Sequence, residues 1–143
     1  MKSKYPSLDR ESLRKQERAE RIKLLYEKVA KMLNSHKSFR DPTYTAKRLS
    51  DELNVDGRKI NTALRTHTGM SICAYLNSLR LQDACSKLAN PRFAKYTIEE
   101  IGLSVGFISR QNFYLVFTRE IGCTPRDYKL RHLPENVGQC DSD

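Results

Sequence analysis

Residues 44–69 read YTAKRLSDELNVDGRKINTALRTHTG, and residues 96–122 read YTIEEIGLSVGFISRQNFYLVFTREIG. Thr45 and Thr97 stand at an offset of 52, each placed to cap a short helix. Val55 matches Phe107 at the same offset, whereas Ile60, Leu64 and Gly69 match Phe113, Phe117 and Gly122 at 53, so the second turn holds one more residue. A short helix, a turn, a longer helix and a terminating glycine therefore occur twice. Unrelated helix pairs have no reason to share apolar register, so the repeat predicts an all-α fold of two helix-turn-helix subdomains.

Between the copies, residues 71–89 form a third helical pattern. At 100° per residue Ile72, Tyr75, Leu76 and Leu79 cluster on one side, while Leu81, Ala84, Cys85 and Leu88 cluster about 180° away. A single amphipathic helix keeps one stripe, so the switch predicts a linker whose two ends dock on different subdomains. Its expected length, about 27 Å, approaches the roughly 34 Å between successive major grooves on one face of DNA.

Upstream, Ile22, Leu25, Val29 and Met32 recur at helical spacing, with Leu24 and Leu33 beside them and Asn34 and Ser35 at the expected end. From Glu11 to Arg21 only Leu13 is large and apolar, which reads as a solvated extension. The expected organisation is a basic polar extension over 1–21, a tandem helix-turn-helix domain over 22–131 and a disordered tail over 132–143. A turn-prone segment, Phe39, Arg40, Asp41 and Pro42, precedes the first copy. A chain of 143 residues suits one compact domain, without room for a separate sensing domain.

The formal charge of +9 points to a polyanionic partner. Its distribution weakens that argument: residues 1–40 hold twelve Lys and Arg against five Asp and Glu, leaving +2 for the other 103. The basic N-terminal run reads first as a soluble surface helix, with a phosphate contact and a connector to an upstream domain as its alternatives. No apolar run is long enough to span a bilayer and no secretory leader is recognisable, so a cytoplasmic location is expected.

Cys73, Cys85, Cys123 and Cys140 have neither zinc-site nor disulfide-framework spacing and read as free thiols. His36, His67 and His132 lack metal-ligand spacing, and there is no Gly-rich phosphate loop or nucleophile elbow. Enzymatic function, a metal and a cofactor are therefore not expected. A helical protein-interaction or RNA-binding module using the basic helix is the competing reading, but it leaves the repeat without a purpose.

Gly106, Phe107, Phe113, Phe117, Gly122, Thr124, Pro125 and Tyr128 together resemble the C-terminal signature of the arabinose-regulator (AraC/XylS) family of bacterial transcription regulators. Tyr75, Leu76, Asn77 and Arg80, with Ala84 and Leu88, resemble its linking helix, and the likeness covers about residues 43–131. It implies transcription regulation through double-stranded DNA, with RNA polymerase as a candidate second partner. An upstream sensor domain, often present in the family, is absent from this chain, which is read either as sensorless or as an output portion. The second helix of each unit would enter a major groove.

Carried over by position, the base readers are Arg58, Asn61 and Thr62 in the first unit and Arg110, Gln111 and Tyr114 in the second. Arg suits guanine O6 and N7, and Asn or Gln suits adenine N6 and N7. Lys59, Arg65, Thr118 and Arg119 are expected at the DNA backbone, with the helix starts at Thr45 and Thr97 adding amide donors. Ser50 and Gly102 stand where the family usually has Ala, and Gly57 lies near the start of the first reading helix. The two glycines are each expected to cost up to about 1 kcal/mol in helix propensity.

Overall fold

The computed structural model describes residues 9–133, which form seven α-helices and two short 3-10 turns, with no strand among the described residues. The expected tail, Cys140 included, lies almost wholly outside them. The chain divides into two compact units, one comprising the chain up to Lys37 with Thr45–Cys73, the other Ser38–Tyr44 with the chain from Ala74 onward.

In the first unit, α1 (Arg10–His36) starts at Asp9, whose carboxylate accepts from the Ser12 amide at 2.8 Å. The helix ends where Lys37 turns left-handed and its N–H bonds Leu33 O at 2.9 Å. Val29 and Leu33 are buried, Ile22, Leu25 and Met32 half-buried and Leu24 exposed. The basic stretch from Arg10 to Arg21 belongs to this same helix. Helices α2 (Ala46–Leu53) and α1 both pack on α3 (Gly57–Thr68), with Leu49, Ile60, Ala63 and Leu64 fully buried. Tyr26 of α1 stacks on His67 of α3, ring centroids 4.9 Å apart.

Helix α4 (Ile72–Leu88) carries the two apolar stripes read from the sequence: Ile72, Tyr75, Leu76 and Leu79 are buried on one side, and Leu81, Ala84 and Leu88 on the other, with Cys85 half-buried among the latter. The second stripe joins the core of the second unit with Ile98, Ile101, Val105, Phe107, Phe113, Val116 and Phe117. There α5 (Ile98–Ser104) packs on α6 (Arg110–Ile121), and α6 on α7 (Pro125–His132). Lys129 of α7 is buried, its ammonium donating to Tyr96 O at 3.1 Å.

The segment before the first copy belongs to the second unit, and Arg80 is the reason. Its buried guanidinium donates to the carbonyls of Phe39 (2.7 Å), Tyr44 (3.3 Å) and Asp41 (3.4 Å), replacing the water those groups would otherwise hold. Arg40 adds a two-pronged pair with Asp83, at 2.7 and 3.0 Å.

The repeat is explicit in the backbone. Thr45 and Thr97 cap α2 and α5, Asp56 and Ser109 cap α3 and α6, and left-handed Gly69 and Gly122 end the longer helices. Inside the turns, positive φ falls at Asn54 (54°) and Gly106 (113°), still 52 apart. Asparagine tolerates that conformation. Gly106 has a further constraint, because a Cβ there would lie 2.2 Å from Phe39 O and 2.6 Å from Arg80 Nε. The extra residue of the second copy comes after Phe107, between that core ring and the Ser109 cap.

The departures at the first helices have structural reasons. Ser50 donates its hydroxyl to Val55 O while Val55 N returns a bond to Ser50 O, closing the α2–α3 turn. Gly102 is buried against Phe113, so its propensity cost accompanies a close helix approach. Gly57 has open space around it, and only the propensity argument applies there.

Candidate nucleic-acid interface

Helix phase separates core from outward positions on the two longer helices. On α3, burial of Ile60, Ala63 and Leu64 leaves Arg58, Lys59, Thr62 and Arg65 exposed. On α6, burial of Phe113, Val116 and Phe117 leaves Arg110, Gln111, Thr118 and Arg119 exposed. Each unit thus presents a polar helix face of the kind that enters a major groove.

Arg58 folds back on the residue that caps its own helix, with Nη2 3.2 Å from Asp56 Oδ2. The Arg58 backbone N–H, then its side chain, hold the Asp56 carboxyl below its usual pKa, and the carboxylate in turn raises that of Arg58. The pair is solvent-exposed and weak, so a phosphate or guanine edge can replace Asp56 as partner.

Asn61 is half-buried, and its Oδ1 accepts from Ile72 N at 3.1 Å, serving the first amide of α4. That bond takes one of the two lone pairs of the oxygen and fixes the side chain, while Nδ2 keeps its donors for a base. Thr62 stands exposed one position on.

In the second unit Tyr114 is half-buried, its ring edge-on to Phe113 at 6.3 Å, and Arg110 Cζ lies 5.2 Å from its centroid. The ring is a platform for the guanidinium, which restricts the side chain before any ligand arrives. Gln111 is exposed beside them. Arg119 pairs with Glu120 at 2.9 Å and Thr118 sits one position before it.

The hydroxyls of Thr45 and Thr97 serve their caps, accepting from Arg48 N (3.4 Å) and Glu100 N (3.0 Å). At Thr97 the backbone amide is itself bonded to Glu100 Oε1 at 2.8 Å, completing a capping box, so that donor is already engaged.

Leu115 was not singled out by the sequence reading. It is 65% exposed on α6, one turn after Gln111, and an apolar side chain there is suited to a thymine methyl. The phase of Phe113, Val116 and Phe117 was the signal that could have found it. Each histidine has a local role: His36 ends α1, His67 stacks on Tyr26, and His132 stacks on Tyr128 at 4.2 Å. Cys73, Cys85 and Cys123 are free thiols. Burial, above all, raises the Cys85 pKa, which does not suit a nucleophile.

Comparison with known proteins agrees with this geometry. A family model described as a helix-turn-helix domain matches residues 49–131. The chain is 40% identical over 80 residues to the transcriptional activator RhaR of Yersinia pseudotuberculosis, and 32% identical over 81 residues to the activator RhaS of Escherichia fergusonii. These alignments cover 56% and 57% of this chain but only 27% and 28% of those proteins.

Among solved structures, it resembles the C-terminal domain of AraT, a response regulator from Geobacillus stearothermophilus. The TM-score is 0.65 and identity 20%, over 75% of this chain and 84% of that one. The C-terminal domain of the response regulator yesN from Fusobacterium nucleatum gives a TM-score of 0.61 at 23% identity, over 72% and 95%. The shared fold and the match across both helix-turn-helix units establish that this chain belongs to the AraC/XylS family of DNA-binding transcription regulators.

Proposed function

We propose that the chain reads a specific duplex sequence with two helices, α3 and α6, each entering a major groove, and so directs transcription at a promoter. The duplicated reading face carries this reading: two capped helices with polar outward positions, offset by 53 residues. Base contacts come from Arg58, Asn61 and Thr62 in the first unit and from Arg110, Gln111 and Tyr114 in the second, Tyr114 also holding Arg110. Lys59, Arg65, Thr118 and Arg119 contact phosphates, helped by the helix start at Thr45, and set register and affinity.

The role is non-catalytic and exercised in the cytoplasm. Supporting this, the relatives are transcription regulators, and among the described residues no helix is long and apolar enough to cross a membrane. RNA polymerase is the protein partner, because RhaR and RhaS are activators. The inducing signal comes from a sensor module outside the described residues, consistent with structural relatives that are C-terminal domains of response regulators.

Selection of duplexes from a random pool tests the reading. A recurring motif bound at least about 10³-fold more tightly than unrelated duplex is expected. Equal binding to all duplexes and to single strands contradicts it.

A further inference from the structure

Helix α1 packs along the first reading helix, and its face changes character on the way. Toward its C-terminus that face is apolar, with Val29 and Leu33 buried. Toward its N-terminus it is basic: Arg18 and Arg21, above Ile22 and Leu25, face Arg58, Lys59 and Thr62 of α3 across an open groove of about 410 Å³. All four cations are exposed, so none costs burial, and Asp56 is the carboxylate paired with Arg58. Glu20 falls on the opposite side of α1 at 100° per residue.

We infer that this α1–α3 groove is a second DNA contact of the first unit, in which Arg18 and Arg21 hold the phosphate backbone flanking the major groove that α3 enters. The inference rests on the DNA-reading function proposed above. Geometry favours backbone over bases. Packed helices lie about 8–10 Å apart, axis to axis, and a major groove is about 12 Å wide, so a helix beside the reading helix meets the phosphate wall. Charge favours it too, because Arg18 and Arg21 line the same groove as the phosphate-contacting Lys59, and these three cations match a row of phosphates. Arg18 and Arg21 would thereby add affinity without sequence preference.

The test uses the full chain and its selected duplex, with affinity measured across salt concentrations. Arg18→Ala/Arg21→Ala should lower the slope of log affinity against log salt by about 1.8, roughly 0.9 per lost contact. It should weaken preferred and scrambled duplexes by the same factor, leave the preferred motif unchanged and leave the melting temperature unaffected. Arg18→Lys/Arg21→Lys should keep the slope. Lys23→Ala/Lys31→Ala, which removes equal charge from the far side of α1, should change it little. An unchanged slope in the double alanine variant, or an equal loss from the far-side variant, overturns the groove contact while the DNA-reading function stands. A parent chain that prefers no duplex overturns both.

Discussion

The ring of Phe113 lies against the bare backbone of Gly102: a Cβ at Gly102 would sit 2.4 Å from Phe113 Cδ2 and 2.7 Å from Cγ. Helices α5 and α6 therefore meet through a glycine, and Phe113 occupies the centre of an aromatic series, 5.0 Å from Phe107 and 5.6 Å from Phe117. Gly102→Ala should destabilise by about 1–3 kcal/mol, because the ring must leave its site. Gly57→Ala meets open space and should stabilise by up to about 1 kcal/mol. Denaturant melts of the two variants should move in opposite directions.

Arg80 gathers three carbonyls of the segment from Phe39 to Tyr44. Arg80→Met would remove the guanidinium that these three carbonyls share and should cost about 2–4 kcal/mol in a denaturant melt. Arg80→Lys should recover little, since an ammonium lacks the guanidinium fork that spans separated carbonyls. A neutral Arg80→Met would show that the segment is held by something else.

Leu79 and Leu81 are both buried, 7% and 5% exposed, although 200° apart around α4. Alanine at either position should destabilise by about 2–5 kcal/mol. If one variant melts like the parent, α4 has a single structural face.

Arg110, held over Tyr114, and Arg119, paired with Glu120, should differ in what they read. Arg110→Ala is expected to relax discrimination at one base pair by about 1–3 kcal/mol, whereas Arg119→Ala should weaken all duplexes about equally. Affinities for a panel of single-base variants separate the two, and uniform weakening by both would make Arg110 a backbone contact.

What the sequence showed and what it hid divide along the range of the interactions. Caps, terminating glycines and the two stripes of α4 are local patterns, so Thr45, Thr97, Gly69, Gly122 and the pair Leu79 and Leu81 were legible from spacing alone. Gly102 looked like a helix defect because its partner, Phe113, lies on another helix. Asn61 looked like a free two-pronged side chain because the amide it serves, Ile72 N, becomes its neighbour only in the fold. For Arg18 and Arg21 a phosphate contact was one reading without a location, since nothing in their own helix says that it lies beside Arg58 and Lys59.

The central claim is that one chain reads DNA twice, and footprinting on the selected duplex at known stoichiometry tests it most directly. Each bound chain should protect two patches centred about 10 base pairs apart, one for α3 and one for α6. Arg58→Ala should weaken one patch and Arg110→Ala the other. A single short patch per chain, weakened alike by both substitutions, would contradict the account.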